Sequence, residues 1–98
     1  MKIIWSPLAE LRTAEAFEYI AQDRPVAAAR WLDRLLEAVG ALAELPDQGR
    51  AVPELARQDI RELILPPYRV IYRRDSKRVV ILTVRHSRQK FDPDEISR

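Results

Sequence analysis

Ninety-eight residues, 47% hydrophobic and 33% charged, make one domain over residues 1–98 with a modest core under a charged shell, which excludes a second folded unit and a disordered chain. With no cysteine, neither a disulfide framework nor a thiolate metal site can staple that core. The formal net charge of +2 hides a division: residues 1–49 carry five basic against eight acidic side chains, and residues 50–98 carry twelve against seven.

Met1 to Trp5 is a short apolar stretch, read as a first strand, broken by Ser6-Pro7. Ser6 can cap a helix and Pro7 suits its first position, where a missing N–H costs nothing. Leu8, Leu11, Ala14, Phe17 and Ile20 then recur every three residues among charged side chains, predicting an amphipathic helix that stops near Gln22, because Pro25 disfavours helical geometry at Arg24. A second helix is expected from about Val26 to Leu45, with Asp23 near enough to cap it and a stripe of Leu32, Leu35, Leu36, Val39, Leu42 and Leu45. Its Gly40, costing about 1 kcal/mol against alanine, suggests close approach to another element. Trp5, Phe17 and Trp31 read as packing residues. The two helices, joined by a short turn, should pack as an antiparallel hairpin.

After a charged connection from Arg50 to Asp59 the period changes to two. Strands are predicted over 60–65, 68–74 and 78–86, the last two joined by Asp75-Ser76-Lys77. The expected fold is therefore α+β, a helical hairpin packed on one face of an antiparallel sheet. Alternation places Arg69, Ile71 and Arg73 on one side of the middle strand and Val70 and Tyr72 on the other, so Arg69 and Arg73 should look away from the helices unless a bulge shifts the parity. The longest apolar runs, such as Val79 to Leu82, fall far short of the ~20 residues of a membrane span. No signal-peptide core opens the chain, so a cytoplasmic protein without membrane partners is expected.

Fourteen of the seventeen basic residues are arginine, and Arg61 to Lys90 holds nine basic residues against Glu62 and Asp75. Guanidinium groups suit phosphates and carboxylates. This half is either an ordinary solvated surface or a face for an anionic partner, nucleic acid or an acidic protein segment. No His or carboxylate spacing suggests a metal, and with only Gly40 and Gly49 there is no glycine-rich phosphate loop, so no cofactor is expected.

Trp5-Ser6-Pro7 with Ala9 and Leu11, Tyr19-Ile20-Ala21, Pro25 before Ala27-Ala28-Ala29, Leu45-Pro46 before Gly49-Arg50, Arg61-Glu62, Tyr68-Arg69-Val70-Ile71-Tyr72 and Val84-Arg85-His86 follow one another across nearly the whole chain. This ordered set resembles the RelE/ParE superfamily of type II toxins, also described as plasmid stabilisation proteins. The resemblance implies a compact α+β toxin neutralised by a small antitoxin encoded alongside it. ParE-like members inhibit DNA gyrase and RelE-like members cleave mRNA in the ribosome. The long second helix and the Pro-x-x-Gly-Arg connection resemble the ParE branch, implying a ParD-like antitoxin and a hetero-oligomer with it. The RNA-cleaving branch is the alternative.

For RNA cleavage the chain offers Arg61, Arg69 and Arg88 to hold a phosphate, His86 as the one side chain titrating near neutrality in its ordinary state, and Glu54 or Glu62 as a carboxylate base. Arg69 matches the arginine of the RelE-like Tyr-Arg motif. The tail departs from that pattern: where RNA-cleaving relatives place a tyrosine, Phe91 can stack but carries no proton. For a partner surface the candidates are Arg61, Arg69, Arg73, Arg85, Arg88 and Phe91. The plainer alternatives are a structural His86, and Arg61 and Arg69 bracing the sheet against Glu62 or Asp59.

Overall fold

In the computed structural model, residues 1–90 and 92–96 are described, in the order β1 (Lys2–Trp5), α1 (Pro7–Ala21), α2 (Pro25–Ala41), β2 (Arg50–Ala51), β3 (Ile60–Leu65), β4 (Tyr68–Arg74), β5 (Arg78–His86) and a 3-10 turn over Pro93–Glu95. The sheet runs β1-β5-β4-β3-β2. β2, β3, β4 and β5 pair antiparallel, whereas β1 lies parallel to β5, with Lys2 opposite Arg78 and Trp5 opposite Ile81. The sheet is thus mixed and not antiparallel throughout, because the helical hairpin carries the chain across the sheet before the later strands form.

Local rules explain most helix boundaries. Ser6 caps α1, its hydroxyl oxygen accepting the Ala9 amide at 3.0 Å. Arg24, not Asp23, stands at the N-cap of α2, and no side chain caps it. Helix α2 is shorter than its leucine stripe suggests. After Ala41 the chain tightens into three-residue turns, Leu42 N–H to Val39, Ala43 to Gly40 and Glu44 to Ala41. This turn aims Leu42 into the core and leaves Leu45 exposed.

Gly40 is on the solvent side of α2, and a Cβ there would meet nothing within 4 Å. It marks no close approach, so only its unfolded-state entropy counts. Gly40→Ala is expected to stabilise the protein by about 0.5–1 kcal/mol, read as a higher midpoint in thermal unfolding; a fall in the midpoint would contradict it.

Two apolar clusters sandwich the sheet. On the helix side, Ala9 and Ala16 of α1 and Trp31, Leu35 and Val39 of α2 meet Val70, Tyr72, Val79, Ile81 and Val84. The far face is not open. Ile60, Ile71 and Leu82 are apolar there, and Val52 with Leu55 from the 50–59 connection and Ile96 from the tail cover them. Across β4 and β5 the register runs Ile71 to Thr83 and then Tyr72 to Ile81, so Leu82 is a bulge. Strict alternation from Ile81 would have turned Arg85 toward the helices. The extra residue turns it to the far face and brings His86 beside Tyr68.

Candidate functional site: an arginine–carboxylate face and its two flanking clefts

Alternation along β3 and β4 places Glu62, Arg69 and Ile71 on the far face, as their spacing predicts. What the spacing does not predict is how completely Arg69 is occupied. Its Nε donates to Glu62 Oε1 at 2.7 Å, and Nη1 and Nη2 grip both oxygens of Glu54 at 2.9 Å. Arg50 Nε closes the second Glu62 oxygen at 2.6 Å. The Glu62 side chain is fully buried and Arg69 is 9% exposed. The hydrogen bonds it donates to Glu54 raise the Arg69 guanidinium above its ordinary value against desolvation, and the same bonds hold the Glu54 carboxyl below its own. The network fastens β2 and the 50–59 connection to the sheet, so Arg69 does not stand open to a partner: a buried guanidinium needs carboxylates, and two are supplied in cis.

A second clamp sits toward the tail. Glu95 Oε1 accepts from Arg85 Nη1 at 3.0 Å and from the Thr83 hydroxyl at 2.9 Å, and Oε2 accepts from Arg12 Nη2 at 2.8 Å. Burial pushes the Glu95 carboxyl up, but hydrogen bonds from Arg12, Thr83 and Arg85 together outweigh it and leave it below its ordinary value. Arg85 also donates to the Lys90 carbonyl at 2.7 Å, so it too is engaged within the chain. Arg73 is half-buried and its charge lowers the nearby Asp59 carboxyl, after the larger effect of the Arg57 hydrogen bond. Phe91 lies outside the described residues.

The depressed carboxyls fix a pH dependence. Both Glu54 and Glu95 lie below the ordinary 4.5, so the stability they add is present above that pH and is lost as the pH falls through their folded values. Acid titration followed by NMR should show the tail around Glu95 loosening below pH 4.5, with the helix core still intact. Loosening that begins above this pH would refute the assignment.

The proposed RNA-cleaving set does not assemble. Arg69 borders a depression of about 400 Å³ on the far face with Arg50, Pro53 and Glu54. Arg61 points to the helix side, donating to the Gly49 carbonyl at 2.9 Å with Asp47 at 3.5 Å. His86 and Arg88 line a different cleft, of about 680 Å³, with Arg12, Tyr19, Tyr68 and Arg85. His86 Nδ1 accepts the Arg88 amide at 3.0 Å and its ring stands edge-on to Tyr68 at 5.2 Å. The histidine is therefore held in the turn after β5 with Arg88 beside it, while Arg69 stays with Glu54 and Glu62 on the far face.

A third cleft lies beside the helices. Trp5, Phe17, Leu32 and Leu36 surround an apolar groove of about 460 Å³ between β1 and the hairpin, rimmed by Glu10 and Glu18. Trp31 is buried, whereas Trp5 and Phe17 are only partly covered. The signal lay in the α2 stripe, which is wider than the sheet can cover, so that Leu36 stays 50% exposed.

Comparison with known proteins agrees with this architecture. Residues 3–91 match the family described as the ParE toxin of the type II toxin-antitoxin system, parDE. The chain is 41% identical over 95 residues to the Sinorhizobium fredii protein named as toxin Y4kP, covering 92% of each. It is 39% identical over 84 residues to toxin RelE2 of Caulobacter vibrioides, covering 85% of this chain and 89% of that one. A solved structure of the chromosomal ParDE toxin-antitoxin system from P. aeruginosa superposes with a TM-score of 0.72 at 21% identity, over 88% of this chain and 95% of the other.

Proposed function

This chain belongs to the ParE toxin family of type II toxin-antitoxin systems, and we propose from that premise that it inhibits DNA gyrase and is silenced by a ParD-like antitoxin. One observation carries the choice of target. Arg69, the residue an RNA-cleaving relative would aim at the scissile phosphate, spends its donors on Glu54 and Glu62, on a different surface from His86 and Arg88. In such a relative that arginine's donors have to be available to the phosphate as charge develops on it. A toxin acting through surface contacts has no such requirement. Among the described residues no helix is long and apolar enough to cross a membrane, which fits action in the cytoplasm where gyrase works.

The groove of Trp5, Phe17, Leu32 and Leu36 supports the antitoxin half of the reading. An amphipathic helix that orders on binding would bury its apolar stripe there, and the Glu10 and Glu18 rim favours basic residues beside that stripe. Acidic parts of the same antitoxin would meet the second half of the chain, where Lys77, Arg78 and Arg88 are exposed. Leu36→Glu, at a half-exposed position, should leave the fold intact and weaken capture of the antitoxin encoded next to it at least tenfold, about 1.4 kcal/mol. Calorimetric titration checks it, and unchanged affinity would place the antitoxin elsewhere.

The target is tested by running a supercoiling assay and a translation assay on one preparation. Inhibited supercoiling with intact translation is expected. Normal supercoiling together with ribosome-dependent mRNA cleavage would replace this reading by the RNA-cleaving one. Normal growth on overexpression without antitoxin would indicate an interaction module without toxicity.

A further inference from the structure

Among the described residues, three guanidinium Nε atoms are buried without a hydrogen bond, those of Arg61, Arg74 and Arg85. The Arg85 group is held by its other nitrogens, through Glu95 and the Lys90 carbonyl. The remaining two stand together at one corner of the sheet. Arg61 of β3 lies opposite Tyr72 of β4, and Arg74 follows Tyr72 by two residues, so both side chains rise on the helix side with it. Both Nε atoms approach the same oxygen, Asp47 Oδ1, at 3.5 and 3.4 Å.

This carboxylate is held quite differently from those of the far face. Glu62 and Glu54 accept from Arg69 at 2.7 to 2.9 Å, whereas Asp47 leaves both Nε donors unbonded. Its side chain is 56% exposed and borders a hollow of about 390 Å³ with Glu44, Leu45, Pro46 and Gln48, into which the carboxylate can turn. The backbone beneath it is fixed. The Tyr72 hydroxyl donates to the Pro46 carbonyl and accepts the Gly49 amide, and Arg61 Nη1 donates to the Gly49 carbonyl at 2.9 Å. Burial pushes the Tyr72 hydroxyl up; among the smaller influences Arg61 and Arg74 draw it down and Asp47 pushes it back, so the three charges gather at one hydroxyl.

We propose that Arg61 and Arg74 form a seat for a phosphate group, which Asp47 fills while no ligand is bound. A phosphate group brings up to two charges and three acceptor oxygens. It can give each Nε an oxygen of its own, where the single Asp47 oxygen has to be shared. Guanidinium forks match that geometry, and a donor buried without a bond gains most from it. Asp47 then swings into the hollow beside it. Arg61 thus finds its second cation in Arg74, across the sheet from Arg69. Two sources carry this chemistry, a nucleic-acid backbone and a small phosphorylated molecule. The seat itself depends on neither the gyrase reading nor the antitoxin.

The probe is inorganic phosphate, titrated at constant ionic strength into the full-length, isotope-labelled chain while the Nε–H signals of Arg61 and Arg74 are followed by NMR. Both should shift saturably. Asp47→Ala, at an exposed position, removes the resident carboxylate and should tighten binding about tenfold, to a midpoint near 1 mM. Arg74→Gln should abolish the shift at Arg61, and Arg78→Gln, on the other face, should leave it unchanged. If Arg74→Gln fails to fold, the comparison of Asp47→Ala with the parent chain decides alone. A short duplex DNA that moves the same two signals identifies a nucleic-acid backbone as the source; a response to phosphate and not to the duplex identifies a small phosphorylated molecule. No saturation by about 10 mM phosphate in Asp47→Ala, no gain over the parent chain, or equal shifts with chloride overturns the proposal. Such a result leaves the gyrase reading standing, because the supercoiling assay does not depend on this seat.

Discussion

Arg69→Ala is expected to cost about 3–5 kcal/mol of folding stability. The substitution removes at least three hydrogen bonds and leaves Glu62, whose side chain is fully buried, with Arg50 as its remaining cation among these contacts. An ionised carboxylate without its principal partner in a dry site is among the few defects of this size that one substitution makes. Domains typically hold only about 5–15 kcal/mol in reserve, so the variant should unfold at markedly lower urea and lose the anchorage of residues 50–59. A double variant separates charge from packing. Arg69→Met with Glu62→Leu removes both charges and keeps the volume, and should recover most of the loss, since hydrophobic replacement of a buried pair is often neutral or stabilising. If the single substitution costs less than ~1 kcal/mol, the value of a surface pair, the network is not the fastening described here. Loss of toxicity in Arg69→Ala without a stability measurement would say nothing about catalysis.

The second large effect is at Gly49. A Cβ built there lies 2.6 Å from Tyr72 Oη and 2.7 Å from the Glu62 backbone carbonyl oxygen. Tyr72 is buried, its hydroxyl donating to the Pro46 carbonyl at 2.8 Å and accepting the Gly49 amide at 2.9 Å. Neither the strand backbone nor a doubly bonded tyrosine can give by the required ångström. Gly49→Ala should therefore destabilise by about 2–4 kcal/mol, combining overpacking with the loss of at least one buried hydrogen bond. Gly40→Ala, the same chemical change nine residues earlier, should stabilise. Two glycines with opposite responses in one denaturation series test the packing more sharply than either alone, and like signs would show that the surroundings of Gly49 are wrong.

Much of the molecule could be read locally. Ser6-Pro7 starts a helix through bonds within one turn, the period-two stretches become β3, β4 and β5 at their expected limits, and Asp75 closes its hairpin by accepting the Lys77 and Arg78 amides at 2.8 and 2.9 Å. The separation of Arg69 from Val70 and Tyr72 was equally legible, since alternation needs no knowledge of the rest of the fold. The ordered motifs that mark the toxin family are of this kind too, being residues at caps, turns and strand alternations.

Other features depended on residues far apart in the chain. The two-residue β2 was too short to show a period, and the parallel pairing of β1 with β5 joins segments more than seventy residues apart. Arg12 meets Glu95 across 83 positions, and nothing in the neighbourhood of either predicts the other. The sequence alone determined the longer elements, the faces of β4 and the sign of the charge carried by each half, because propensity, periodicity and formal charge are properties of short stretches. Only the tertiary structure decided that Arg69 and Arg85 are engaged by carboxylates within the chain, that the far face is covered, and that His86 stands apart from Arg69. A charge acquires its role from the partner and the solvent around it, and here folding supplies both from distant parts of the chain.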